Sequence, residues 1–241
     1  MRLDNYLVKI GKFDSRTKAK QAIERGEIFL DGIKKDKPSF DVPEDYSGKI
    51  EYVYDVSFVS LGGYKLFKAL KDFEFSVKGF TVADIGASTG GFTDCLLQNG
   101  AKKIYAVDLN NELLHESLKL NDKVIEVIKN ARELTKDDFD DNLDLIVADL
   151  SFISATYVLD VFSSLLECGK HLLLLVKPQF ESGEKRKFKN GIIRDVKIHQ
   201  EVLEKIISVA GDNGFNKIAV TTAPIVERKN TEFLILFKKI V

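Results

Sequence analysis

Residues 59–241 predict an α/β domain on a Rossmann-like, mainly parallel sheet with an antiparallel C-terminal edge hairpin, and residues 1–58 a small α+β domain ahead of it. Three observations predict this. From residue 80 onward, short aliphatic and β-branched runs alternate with helical stretches, the pattern of a parallel sheet covered on both faces. The last two runs are joined by too few residues for a crossover helix, so they pair as a hairpin. Finally, Phe80-Thr81-Val82-Ala83 turns through Asp84-Ile85-Gly86-Ala87-Ser88-Thr89-Gly90-Gly91 into a helix. A strand that turns through glycines into a helix lets backbone approach a ligand closely.

In the front domain, Leu3, Leu7 and Ile10 recur at helical spacing and Gly11 ends that helix. Asp14 or Ser15 caps a second helix with Ala19, Ala22 and Ile23 as its buried face, leaving Arg16, Lys18 and Lys20 pointing away. Gly26 stops it, Ile28-Phe29-Leu30 reads as a strand, and Asp31-Gly32 signals a tight turn, with Lys34, Lys35 and Lys37 on the returning side. A punctuated stretch follows, including the strand-like Lys49-Ile50-Glu51-Tyr52-Val53, and the boundary falls near residue 58. In the second domain, strands are expected at 80–84, 103–108, 124–128, 143–149, 171–176, 217–222 and 232–239. Helices are expected near 64–73, 92–99, 111–119, 154–166 and 196–213.

Composition narrows the function classes. With 44% hydrophobic and 30% charged residues the chain has the apolar content for a real core and reads as an ordinary soluble protein. Residues 1–37 carry ten Lys or Arg against six Asp or Glu, a net +4 on a chain whose total is −1. That asymmetry suggests an RNA- or DNA-facing end, against the plainer reading of a solvated lysine-rich surface. Cys95 and Cys168 make no disulfide framework, and His115, His171 and His199 have no ligand spacing, so no metal is expected. Neither a secretory signal nor an apolar run long enough to span a membrane is visible, so a cytoplasmic location is expected.

A dinucleotide site would want glycine at 86, 88 and 91, but position 88 is Ser. An acidic residue followed by Gly-x-x-x-Gly suits S-adenosylmethionine (SAM), whose amino-acid end carries an ammonium and no phosphate. The cofactor candidates are therefore Asp84, Gly86, Ser88, Gly90, Gly91 and Phe92, with Asp108 at the end of the next strand for the ribose hydroxyls. Capping the stretch near Asn111 is the alternative role for Asp108. Four more polar residues fall where parallel sheets build active sites: Lys65, Asp149, Lys177 and Glu232. A ribose 2′-hydroxyl is a poor nucleophile, and a desolvated lysine beside another cation becomes a usable base. Lys177 is the expected base and Lys65 the neighbouring cation, positioned by Asp149 and Glu232, whose charges oppose the effect.

These residues carry a resemblance. The chain is similar, nearly end to end, to the TlyA (hemolysin A-like) ribosomal RNA 2′-O-methyltransferases, in which an S4-type RNA-binding domain precedes an FtsJ-like methyltransferase domain. Arg2-Leu3-Asp4, Ser15-Arg16, Ala19 and Lys37-Pro38-Ser39 resemble the front domain's pattern. Asp84–Cys95 resembles the SAM motif, and Asp149–Ser154, Val176–Glu181 and Asn230–Leu234 the other signatures. The resemblance implies SAM as cofactor, cytidine ribose in ribosomal RNA or ribosomal subunits as substrate, and Lys65-Asp149-Lys177-Glu232 as the catalytic set. Departures are Ser60-Leu61-Gly62 in place of Ser-Arg-Gly, Glu227-Arg228-Lys229-Asn230 in place of a glycine-rich approach, and Leu109-Asn110-Asn111 where glycine is expected.

Arg16, Lys18, Lys20, Lys34 and Lys35 are the candidate phosphate contacts. The loop Gly183–Gly191 offers Phe188 for stacking a nucleotide. Three rivals stand beside this reading: an RNA-binding assembly factor with an inactive methyltransferase fold, a membrane-active hemolysin, and a methyltransferase acting on another acceptor.

Overall fold

The computed structural model describes all residues except 25, 53–56, 184–190 and 225–228. They form two compact units, Met1–Ser57 and Phe58–Pro224 with Asn230–Val241.

The first unit begins with α1 (Leu3–Lys9) and α2 (Arg16–Glu24). The Ser15 hydroxyl accepts a hydrogen bond from the Lys18 amide, and Ala19, Ala22 and Ile23 are buried, as the helical spacing requires. Strands β1 (Ile28–Leu30), β2 (Ile33–Lys35) and β3 (Ile50–Tyr52) make an antiparallel sheet in the order β2-β1-β3. Asp31 and Gly32 both take positive φ (50° and 74°) in the two-residue turn between β1 and β2. Leu3, Leu7, Ile23 and Ile28 are fully buried in one small core. Asp4 is buried beneath it all and is held by Arg2 (2.9 Å) and Arg16 (3.0 Å), which keep its carboxyl at about 2 against burial.

The second unit opens with α3 (Leu61–Asp72) and then runs β4 (Thr81–Ile85), α4 (Gly91–Gln98), β5 (Lys103–Asp108), α5 (Glu116–Lys119), β6 (Val124–Ile128) and β7 (Leu143–Ala148). It continues with α6 (Leu159–Leu165), β8 (Leu166–Val176), α7 (Pro178–Glu181), α8 (Val196–Asp212), β9 (Phe215–Thr222) and β10 (Phe233–Lys239). The sheet order is β6-β5-β4-β7-β8-β10-β9: five parallel strands, then β10 inserted antiparallel between β8 and β9. The mainly parallel sheet with its antiparallel edge hairpin is the architecture expected from the sequence.

Central strands buried on both faces read as continuous apolar runs; β4 is buried at every position, as is β7 from Leu145 on. Parallel register then aligns the strand ends. Ile85 pairs with Val107 and with Ala148, while Phe233 of β10 pairs with Val176 of β8. Asp108, Asp149, Lys177 and Glu232 therefore all emerge at the carboxyl ends of β5, β7 and β8 or opposite them.

Candidate active site

The turn after β4 is shaped by what it must avoid. Gly86 has φ +84°, and a Cβ there would lie 2.6 Å from the Asp149 carbonyl oxygen, so only glycine lets the loops after β4 and β7 approach this closely. At Gly91 a Cβ would lie 2.8 Å from the Gly63 amide nitrogen and 2.2 Å from the Ser60 hydroxyl, so α3 packs directly on the start of α4. That contact delivers Lys65, which sits on α3. Asp94 of α4 reinforces it by accepting the Val59 amide at 2.8 Å.

The strand ends enclose a cavity of about 370 Å³, lined by Ile85, Gly86 and Ser88, by Val107–Leu109, by Lys129–Ala131 and by Asp149–Ile153. Asp84 lies one residue below its wall and is fully buried. The Thr93 hydroxyl donates to its Oδ2 at 2.6 Å, and its Oδ1 has no partner among the described residues. Burial pushes the Asp84 carboxyl up to about 7; the Thr93 bond opposes this, and the Asp149 and Asp108 charges add to it. Asp108 accepts from the Ser88 amide at 2.8 Å through Oδ2 and from the Leu109 amide at 2.7 Å through Oδ1. Its side chain thus braces both turns as well as facing the cavity. Phe92 is buried and packs beneath Gly62, with Gly90 and Gly91 at the helix start, so these three build the wall without lining the open space.

Two ion pairs stand at the ends of β7 and β8 and at the start of β10, and Asp149 of the first also lines the cavity. Lys177 Nζ lies 2.5 Å from Asp149 Oδ1, without hydrogen-bond geometry, and donates to the Ser151 hydroxyl at 2.6 Å. Lys65 Nζ lies 2.6 Å from Glu232 Oε2. Each lysine thus has one of the two carboxylates expected to position it, Asp149 for Lys177 and Glu232 for Lys65. Lys177 is only 10% exposed, whereas Lys65 and Glu232 are about one-fifth exposed (23% and 18%). A buried ammonium held between a carboxylate and a hydroxyl has its Nζ fixed in one place at the end of β8.

The sequence reading did not pick out several neighbours. Phe152 is 88% exposed and holds φ +66°, unusual for a bulky residue, with its ring 5.3 Å from that of Phe180. The Phe180 ring in turn lies 5.9 Å from Lys177 Nζ. Lys129, Asn130 and Ala131 complete the cavity after β6; reading the residues at and just past the end of each parallel strand, the signal that located Asp108 and Asp149, extends to this segment. Lys129 Nζ is tied to Asp138 at 2.8 Å.

Of the proposed RNA contacts, Arg16, Lys20 and Lys34 are exposed and Lys18 and Lys35 half-buried. Arg16 leans on Asp4, Lys18 on Asp14 (3.0 Å) and Lys20 on Glu24 (3.7 Å), while Lys35 Nζ lies over the Phe40 ring at 4.1 Å. Phe188 lies outside the described residues. No group of His, Cys, Asp and Glu among the described residues is arranged to hold a metal ion, and no described helix is long and apolar enough to cross a membrane.

Comparison with known proteins matches this geometry to a family. Residues 58–240 fit the model of the FtsJ-like methyltransferases and residues 1–46 that of the S4 domain. Hemolysin A of Brachyspira hyodysenteriae is 38% identical over 240 residues, 98% of this chain and 99% of that one. The 16S/23S rRNA (cytidine-2′-O)-methyltransferase TlyA of Mycobacterium tuberculosis is 33% identical over 225 residues, 93% of this chain and 84% of that one. A solved structure from Streptococcus thermophilus, 36% identical, superposes with a TM-score of 0.74 over 100% of this chain and 88% of that one. Chain and fold together identify the protein as a member of the FtsJ-like methyltransferase family that carries an S4 domain at its N-terminal end.

Proposed function

We propose that this chain transfers a methyl group from SAM to the 2′-hydroxyl of a cytidine in ribosomal RNA, with Lys177 as base within the set Lys65, Asp149, Lys177 and Glu232. The observation that carries the reading is the pair of lysine–carboxylate contacts at the strand ends, Lys177–Asp149 and Lys65–Glu232, beside a cavity large enough for a nucleoside cofactor.

The residues present fit SAM. The unpartnered Oδ1 of buried Asp84 can receive the ammonium, Gly86 lines the cavity with backbone alone, and Asp108 faces the cavity with oxygens suited to ribose hydroxyls. Bound there, SAM supplies an electrophilic methyl on its sulfonium. The protein's own part is alignment and proton removal. Lys177, as the free amine, takes the proton from the 2′-hydroxyl as that oxygen attacks. Asp149 and Ser151 aim the Nζ, and Asp149 stabilises the ammonium that results. Lys65, held by Glu232, offers a second cation for the acceptor oxygen or the adjoining phosphate. The exposed Phe152 ring is suited to stacking a nucleotide presented out of its helix.

In the same proposal, residues 1–58 supply RNA affinity through Arg16, Lys18, Lys20, Lys34 and Lys35, residues 59–241 supply the chemistry, and the protein works in the cytoplasm. Relatives named as rRNA cytidine-2′-O-methyltransferases support the substrate class. The intact four-residue set argues against an inactive assembly factor, and a membrane-active role finds no support. The test is methyl transfer from labelled SAM to purified ribosomal subunits and to free ribosomal RNA, mapped for alkali-resistant linkages, with Lys177→Ala as control. Label at a discrete ribose that vanishes in the variant is expected. SAM binding without transfer to either substrate would overturn the reading.

A further inference from the structure

Two loops carry the proposed chemistry, Asp149–Ser154 after β7 and Lys177–Ser182 after β8, and one buried side chain joins them. Glu181 ends α7, the single turn that starts directly after Lys177, and is only 5% exposed. Its Oε1 accepts the Ala155 amide at 2.8 Å, and its Oε2 accepts the Ser154 hydroxyl. The Lys205 ammonium of α8 fixes the same turn from behind, donating to the Glu181 carbonyl at 3.2 Å. At its other end the first loop is held by the Asp149 amide, which donates to the Ile85 carbonyl at 3.0 Å. Between these two fixed points lie Leu150, Ser151, Phe152 and Ile153. Phe152 keeps a left-handed backbone conformation that a bulky residue holds only when its surroundings impose it.

We infer that Glu181 is a positioning residue: it pins the Asp149–Ser154 loop to the end of β8 and so sets where Asp149, Ser151 and Phe152 meet Lys177. The inference deepens the proposed function and rests on it for the consequence in catalysis, but the anchoring itself can be measured without any RNA. A carboxylate suits the task because it accepts two hydrogen bonds at once from one loop, an amide and a hydroxyl, inside a buried contact where an unmade bond is costly. Glutamine can keep the amide bond through its oxygen and donate to the Ser154 hydroxyl instead. Alanine can do neither.

The chain contains no tryptophan, so Phe152→Trp places a single indole on the loop. In the full chain carrying that substitution, adding Glu181→Ala should lower the indole's fluorescence anisotropy and raise its quenching by acrylamide at least twofold. Adding Glu181→Gln should change either by much less. In the background that keeps Phe152, Glu181→Ala should lower kcat for RNA methylation at least tenfold while the far-UV circular dichroism melt stays within a few degrees, and Glu181→Gln should restore kcat to within threefold. If Glu181→Ala does not fold, Ser154→Ala removes the hydroxyl contact alone and should move both readouts in the same direction by less. An indole as restrained in Glu181→Ala as in its parent would overturn the inference. So would a loosened loop with kcat unchanged. Should the wild-type chain methylate no RNA, the proposed function fails while the indole still decides whether Glu181 anchors the loop.

Discussion

Asp84→Asn tests the electrostatics at the foot of the cavity. The wild-type carboxyl is fully buried and raised to about 7, against about 4 for an aspartate in an unfolded chain. The folded protein therefore retains a proton that the unfolded chain releases between those values. A carboxyl raised on folding stabilises the fold at acidic pH, and that stability drains away as pH rises from about 4 to about 7. At about 1.4 kcal/mol per pH unit, the loss between pH 5 and pH 8 comes to about 2–3 kcal/mol. Asparagine keeps an oxygen to accept from Thr93 and has nothing to ionise. Without SAM, the variant should therefore gain about 2–3 kcal/mol on the wild type between pH 5 and pH 8, every other titrating group cancelling in the difference. Urea unfolding followed by circular dichroism at pH 5, 6.5 and 8 reads it directly. A stability difference that does not vary with pH would refute the reasoning. With SAM present the order should reverse: the ammonium draws on an ionised Asp84, so wild-type binding releases a proton near pH 6.5. Titration calorimetry in two buffers of unequal ionisation heat detects it, and Asp84→Asn should bind weakly with no proton released.

Three other outcomes are expected. Lys177→Ala should keep SAM affinity within about threefold and lose at least about 100-fold in methyl transfer, the usual worth of a positioned base; calorimetry and a labelled-methyl assay separate the two. Gly86→Ala should cost about 1–3 kcal/mol from backbone strain alone, with more from the clash against the Asp149 carbonyl, seen as a lowered thermal midpoint together with lost SAM binding. Asp4→Asn should destabilise the first unit by about 1–2 kcal/mol at pH 7, a figure discounted because Arg2 and Arg16 are half-exposed. Because the Asp4 carboxyl is depressed on folding, that contribution is present above about pH 4 and fades as pH falls towards 2. Comparing the variant's deficit at pH 7 and pH 3 checks the sign.

Much of this was legible because the central strands leave no alternative. Runs such as Leu143–Ala148 are buried on both faces, too short for a core helix and punctuated at both ends, so strand and site position follow together. Helices near the site were read too long for a local reason. His115 adopts extended backbone and caps α5 by accepting the Ser117 amide through Nδ1, breaking the expected 111–119 helix into a 3-10 turn and a short helix. β8 begins at Leu166 rather than 171, since Glu167–Lys170, with a glycine at φ +89°, reads as loop until its partner β7 is in view. Glu181 was invisible as a functional residue because its partners Ser154 and Ala155 lie 27 and 26 residues away and meet it only in the folded sheet. That the carboxylates would position the lysines was expected from their places at the strand ends, but which carboxylate meets which lysine depends on how α3 and β10 pack, and spacing along the chain does not carry that.

The insertion of β10 between β8 and β9 has a consequence for how the protein is made. Leu234, Ile235, Leu236 and Phe237 are buried, and Glu232 stands immediately ahead of them. During synthesis β8 and β9 leave the ribosome first, with a gap between them that only the later segment fills. Until it does, both present open strand edges, that of β8 strongly apolar, of the kind that recruit other chains. A product that stops short of residue 232 would hold every residue that lines the cavity, yet would lack the partner of Lys65 and the strand that covers β8. On the proposed function, methyl transfer then waits until β10 has closed this gap and set Glu232 beside Lys65.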